Sequence, residues 1–567
     1  MRRLTAILWL TWFAATLTCC GCCAAGPRPL AFLWHPPLES ARASPNLAQA
    51  TLARAQALES AGSEACVEAY FEACSLAWNV ANHQCSHGKE YSVALAGLLT
   101  SAQRFGRLDA ARGLFVRQGD ELILVPAAHH GFSWQPADFQ RLQVPTDGHE
   151  PLLQRRYRCP GLGTPLVFER YRNDGDPLEA RLLPSRTYFA ATAVLRFANA
   201  IPTLEFYNPF LIRNFKAQSG PLPLAADYSA PLARSLEVAP RTYLAGFVQP
   251  GQAETAARLH LLEPYQPGKA PVVLIHGLFS DPLSWADLVN DLRATPGFAE
   301  RYQIWYFRYP TGQGFLQSAA ALRRELQACL FHVDPERRDP ALRQVVLVGH
   351  SMGGLIAKLQ VTHSEDRIWS RLANRPLDEL AATDEARTLL AETCFFEPSP
   401  DVSRLIFIAT PHAGSLVSSA VVGRGASLLV EPAPQQAAIH QQLIHDNPGV
   451  FNPEFESRLP TSIDMLSPRS PLLEAMHNVP IRAGVRLHNI LGVSHPVSLD
   501  GPSDGVVSVH SASHPACQSV RAIGEKHSNV HRAPETSAEI LRILKVGLPA
   551  QSFSQPAREP APAPRRF

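Results

Sequence analysis

The chain has 567 residues, too many for one ordinary domain, and 46% of them are hydrophobic, enough to bury a sizeable core. A formal net charge of +2, with 18% charged residues and no basic stripe interleaved with aromatics, argues against a nucleic-acid binder. The 49 prolines and 34 glycines read as punctuation of a loop-rich α/β protein, not of a disordered one.

The chain starts with Met1-Arg2-Arg3 and the apolar run Leu4–Leu17. This is a charged n-region and an h-region short for a transmembrane helix, so residues 1–23 are expected to be a signal peptide. Leu17 stands three residues before Cys20, which resembles a bacterial lipobox, whose cysteine is diacylated after cleavage; Gly21 before Cys22 offers a second site. A lipid anchor on Cys20 or Cys22 would hold the protein at a membrane face of the cell envelope. Simple secretion and an uncleaved membrane anchor are the alternatives. The cysteines beyond this cluster are widely spread, and an oxidising compartment allows a disulfide, with Cys74 and Cys85 as a candidate pair. No His/Cys spacing suggests zinc and no cofactor is called for; His440 and His445 read as a solvated helix face.

Residues 24–45 are Pro/Ala-rich and read as a tether. Residues 46–112 read as helices over Leu47–Ala61, Ser63–Asn82 and Tyr91–Arg104, with apolar residues recurring at three and four. One such unit cannot bury its own face, and no further copies follow. Residues 113–240 turn β-rich, with runs at Leu122–Val125, Leu166–Tyr171 and Ala190–Phe197. Two more, Arg241–Val248 and Ala257–Leu262, lead into the next unit. Residues 241–547 then alternate. Strands at 272–275, 303–308, 345–348, 404–408 and 486–491 are interleaved with helices near 285–293, 316–330, 354–363 and 536–546. Alternation of this kind predicts a mostly parallel central sheet with helices on both faces. The stretch Tyr306-Phe307-Arg308-Tyr309-Pro310-Thr311-Gly312 leaves its strand with aromatics that either line a pocket or are simply buried. The insertions 364–400 and 416–475 are lid candidates, and the tail 548–567 is expected to be disordered.

The most informative stretch is Val345-Val-Leu-Val-Gly349-His350-Ser351-Met352-Gly353-Gly-Leu-Ile-Ala357. A buried-strand run, a Gly-x-Ser-x-Gly turn and an immediate helical pattern form a nucleophile elbow in the context it requires. A serine hydroxyl is a poor nucleophile until a base accepts its proton and an acid orients that base. Downstream, Asp504 sits on a tight turn in Pro502-Ser503-Asp504-Gly505-Val506-Val507, and His527 on a loop before the last helix. The rival base is His531 and the alternative acid Asp464. Amides must also be in place to stabilise an oxyanion. Met352, next to the serine, and Leu278, in the loop His276-Gly277-Leu278-Phe279, are the expected donors, with Phe279 the neighbouring possibility. His276, His350 and His412 read as scaffold histidines.

Four pieces together resemble a bacterial α/β-hydrolase of the lipase/esterase kind. They are His276-Gly277-Leu278-Phe279, Gly349-His350-Ser351-Met352-Gly353, Ala409-Thr410-Pro411-His412-Ala413-Gly414-Ser415 and Ser503-Asp504-Gly505-Val506-Val507. The ending His527-Ser528 before Arg532-Ala533-Pro534-Glu535 is similar to that family's histidine loop. The resemblance covers about residues 240–547. It implies the α/β-hydrolase fold, preceded here by a helical and β-rich region, and an ester or lipid-like small-molecule substrate. It also implies Ser351 as nucleophile, His527 as base, Asp504 as acid, and Leu278 and Met352 as oxyanion donors. The chain departs from secreted lipases in having no evident calcium loop or disulfide near the site. Acyl transfer with the same triad, and a non-catalytic envelope protein on a hydrolase fold, are the alternative readings.

Overall fold

The computed structural model of the protein describes residues 45–81, 89–146, 153–197, 201–217, 220–238, 247–249, 256–415, 430, 432–477, 479–495 and 501–545. The leader with Cys20 and Cys22, the tether up to residue 44, Cys85 and the tail 548–567 lie outside these residues.

Helices Pro45–Ser60, Cys66–Ala81 and Lys89–Arg104 open the described chain. The stripe Tyr91, Leu95, Leu98, Leu99 and Ala102 on the third helix is buried. That helix packs on helix Cys66–Ala81 and, in place of a further helical copy, on a seven-stranded sheet built from residues 108–207. That sheet is antiparallel apart from the pairing of Glu121–His130 with Thr203–Tyr207. The Tyr91 hydroxyl locks helix to sheet, donating to the Leu195 carbonyl and accepting from the Leu195 amide, both at 2.7 Å. Beneath it Phe168 packs on Phe139, Phe189 and Phe206 with ring centroids 4.8–5.5 Å apart, the spacing aromatic pairs prefer.

The second sheet has seven strands: β1 (Arg258–Leu261), β2 (Ala270–Ile275), β3 (Tyr302–Arg308), β4 (Val345–His350), β5 (Val402–Ile408), β6 (Arg486–Gly492) and β7 (Ser519–Ile523). Their order is β1-β3-β2-β4-β5-β6-β7, with β1 antiparallel and the rest parallel. Alternate residues face opposite sides. Val272, Leu274, Val346, Val348, Ile406 and Ile408 meet helices Ala286–Ala294 and Pro534–Ile543. Val273, Ile275, Leu347, Leu405 and Phe407 meet helices Phe315–Val333 and Met352–Lys358. Burial on both faces is why the parallel strands read as unbroken apolar runs. Because β2 and β4 to β7 run in one direction, the loops leaving them gather at one edge.

Several expectations are revised. Strand β7 went unread because it is an edge strand with Val520, Arg521 and Ala522 exposed, so it carries no apolar run. The helix expected over 354–363 begins at Met352, directly after the serine, and ends at Lys358; the Gln360 side chain then donates to the carbonyls of Ala319 and Ile356. Of the strand expected at Arg241–Val248, Phe247 and Val248 form a helical turn and the rest lies outside the described residues. His440 is buried, bonded to the Phe455 carbonyl at 2.6 Å, while His445 is exposed. In the first insertion, helix Asp384–Cys394 packs on helix Phe315–Val333. In the second, residues 416–429 lie outside the described residues.

Candidate active site

Strand β4 runs into Ser351, whose backbone sits at φ 54°, ψ −127°. Such a conformation costs a non-glycine residue about 1–3 kcal/mol and persists only where its surroundings fix it. Here the Ser351 amide donates to the Ile408 carbonyl and its carbonyl accepts from the Gly354 amide, both at 2.9 Å. The flanking glycines are dictated by space. A Cβ on Gly349 would lie 2.5 Å from the Gly353 carbonyl oxygen, and one on Gly353 would lie 2.2 Å from that of Ile275. The elbow is closed by backbone on both sides, which leaves the hydroxyl at the loop edge of the sheet.

Asp504 leaves the loop after β6. The local turn Asp504-Gly505-Val506-Val507 bends so that one carboxylate oxygen accepts from the amides of Val506 (2.9 Å) and Val507 (2.7 Å). The other oxygen accepts from His527 Nδ1 at 2.7 Å. His527 leaves the loop after β7, and its amide donates to the Asp504 carbonyl at 3.0 Å, which sets the two loops in register. Its Nε2 lies 2.9 Å from Ser351 Oγ. The Asp504 carboxylate is 1% exposed, so its demand for partners is met by two amides and one imidazole instead of water.

Behind these three side chains lies a layer of buried rings. His350 Nε2 donates to the His527 carbonyl at 2.9 Å, and its ring sits 4.2 Å from His531, which in turn packs against Trp285 at 5.3 Å. Burial, with the neighbouring histidines, holds His350 well below the usual imidazole range, and burial beside Arg532 pushes His531 down to about 3. His531 thus packs behind the site, and His527 is the ring that bridges the serine and the carboxylate. Asp464 is elsewhere. It forms a capping box with Thr461 at helix Ser462–Met465 and pairs with Arg458 at 2.6 Å. His276 is buried and lowered to about 4 by desolvation, stacked on Tyr309, whose hydroxyl donates to the His276 carbonyl at 2.6 Å. Tyr309 is therefore a strut of the loop.

The loop 276–279 crosses directly over the elbow, since a Cβ on Gly277 would come within 2.9 Å of Ser351 Cβ. The amides of Leu278 and Met352 donate to no acceptor among the described residues. Phe279 is held at φ 53° and is half exposed, with its ring 4.1 Å from that of Phe247. Phe247 was not singled out from sequence. It comes from the segment joining the two halves of the chain, and its apolar neighbours gave no hint of this destination. Equally unreadable was Arg155, which bonds Asp291 and donates to the Arg532 carbonyl at 3.1 Å, while Arg532 pairs with Asp287 at 2.6 Å. The N-terminal half thereby grips the loop that carries His527. Among the described residues no group of three or more His, Cys, Asp or Glu is placed to hold a metal ion.

Residues 272–509 match a family model described as "Alpha/beta hydrolase family". No curated protein sequence matches the chain. Among solved structures, the mature Bacillus licheniformis lipase BlEst2 is similar at 15% identity and a TM-score of 0.31, covering 50% of this chain and 97% of that one. The Staphylococcus hyicus lipase gives 15% identity and 0.31, with 50% and 98% covered. The Exiguobacterium antarcticum esterase gives 15% and 0.28, with 51% and 95% covered. With its parallel sheet, elbow and loops in this order, the C-terminal half of the chain has the α/β-hydrolase fold, and residues 272–509 within it match that family's model.

Proposed function

We propose that the protein is a serine hydrolase that cleaves carboxylic esters through an acyl-Ser351 intermediate. The observation that carries this reading is the hydrogen-bonded series Ser351 Oγ, His527 Nε2, His527 Nδ1 and Asp504, with separations of 2.9 and 2.7 Å. In the first step Ser351 Oγ attacks the ester carbonyl as its proton passes to His527 Nε2. Asp504 fixes the tautomer with the proton on Nδ1 and stabilises the imidazolium. The tetrahedral oxyanion is bound by the Leu278 and Met352 amides, which are unpaired beforehand and need no rearrangement. His527 then returns its proton to the departing alkoxide. Water, activated by the same imidazole, releases the acid and restores the hydroxyl.

The test is turnover of p-nitrophenyl esters by Ser351→Ala, with loss on the order of 10⁶-fold in kcat expected. Retention of more than a few per cent of wild-type activity would reject the assignment. Product analysis with added alcohols separates hydrolysis from acyl transfer.

A further inference from the structure

A cavity of about 500 Å³ lies where the N-terminal half meets the flank of the catalytic sheet, away from Ser351. Leu274 and Ile304 of the sheet form its floor, Val289 one wall, and Leu236 of helix Ala230–Val238 the opposite wall. Its volume falls in the range of small-molecule sites. It is also well above the about 150 Å³ at which an apolar void stays dry and admits apolar ligands. Two features of the lining narrow the chemistry. Tyr306 lines the cavity, half-buried, and its hydroxyl makes no hydrogen bond among the described residues. The cations at the lining are already engaged: Arg293 is bonded to Glu263, and Arg186 lies over the Tyr171 ring beside Glu169. No free charge awaits an ionic head group, whereas neutral donors await an acceptor: the Tyr306 hydroxyl and, also in the lining, the buried Trp285 Nε1 and Thr187 hydroxyl, which have no partner among the described residues.

We propose that this cavity binds a neutral, apolar molecule carrying a hydrogen-bond-accepting oxygen, which the Tyr306 hydroxyl recognises. The occupant would lie against Trp285, whose ring packs on His531, which in turn packs on His350. The site is independent of the assignment of Ser351, because none of the residues that define it belongs to the proposed catalytic set.

The test is a fluorescence titration of the full chain with 6-propionyl-2-(dimethylamino)naphthalene, a neutral bicyclic ketone whose emission shifts to the blue in apolar surroundings. Saturable binding at one site is expected. Tyr306→Phe should weaken it about fivefold to tenfold through loss of one hydrogen bond. Val289→Trp, which fills the cavity, should abolish it, and both variants should keep the wild-type rate of ester hydrolysis. Leu236→Trp fills the same space from the other wall and serves if Val289→Trp does not fold. Absence of saturable binding to the wild type, or unchanged affinity in Tyr306→Phe and in a folded filling variant, overturns the proposal. Such unchanged affinity would place the probe elsewhere, including at Ser351.

Discussion

The two halves of the molecule each hold a seven-stranded sheet and each bury paired ions, such as Asp287 with Arg532 in the catalytic half, yet they differ in the bases they bury unpaired. The N-terminal half buries charges in pairs. Arg170 is held by Asp138 at 2.6 Å and Glu179 at 2.7 Å, and Arg107 by Glu64 and Glu68. The catalytic half buries bases without counter-charges: His276, His350, His412, His514 and His531, with Lys358 among them. Burial lowers each of these imidazoles, and Lys358 is lowered to about 8 with its ammonium bonded, among the described residues, only to the Met476 carbonyl, at 2.9 Å. Paired ions keep their charge on folding, whereas isolated bases are pushed toward the neutral form. The lesson is that pH should act on the stability of one half far more than on the other.

The largest effect expected is on turnover. Asp504→Asn leaves the turn able to form but removes the charge that fixes the His527 tautomer. Loss on the order of 10⁴-fold in kcat is expected, and a variant within tenfold of wild type in steady-state assays would detach Asp504 from the chemistry.

Next comes the aromatic core of the N-terminal half. Phe168→Ala empties the centre of the Phe139–Phe189–Phe206 cluster and should cost about 3–5 kcal/mol in denaturant unfolding. The rate per folded molecule should stay unchanged, because no catalytic loop touches that cluster. A fall in kcat would show that the core continuous between the halves transmits the cavity to the site.

Lys358→Met should instead stabilise the protein, by about 1–3 kcal/mol at pH 7. The sign follows from the titration. The lysine is pushed from 10.5 to about 8 in the folded state, so its penalty is fully present below pH 8. The penalty fades as pH rises toward 10.5, because there the folded form releases a proton that the unfolded form retains. The gain from the variant should therefore shrink across that window. A gain independent of pH would mean that packing, not charge, is responsible.

The smallest effect concerns acid. His531 is lowered from 6.5 to about 3, so the unfolded chain binds a proton that the folded one refuses. The stability it contributes is present above pH 6.5 and is lost as pH falls toward 3. Comparing unfolding at pH 7.5 and 5.0, wild type should lose about 1–2 kcal/mol more than His531→Phe. Equal losses would remove His531 from the acid response.

How much of this was legible in the sequence depended on whether the signal was local. The elbow was readable because Gly349 and Gly353 are required by backbone contacts within their own strand and helix. The strands β2, β4 and β5 were readable because burial on both faces leaves unbroken apolar runs. The turn at Asp504 was readable because its carboxylate is satisfied by amides two and three residues on. Strand β7 was not, since an exposed edge imposes no pattern. Nor could spacing choose between His527 and His531, four residues apart on one loop. The Phe247–Phe279 contact, the Arg155–Arg532 clasp and the Tyr306 cavity lay beyond reach for the same reason, joining segments with no shared periodicity.

By itself, then, the chain specified those elements whose instructions lie within a few residues: the amphipathic helices, the doubly buried strands, the strained turn at the serine and the cap at Asp464. Only the tertiary structure decided which imidazole reaches the hydroxyl, which buried bases remain neutral and where the two halves leave a cavity. Backbone sterics and side-chain periodicity act over short stretches of chain. Desolvation and the meeting of loops from separate strands depend on what folding brings alongside.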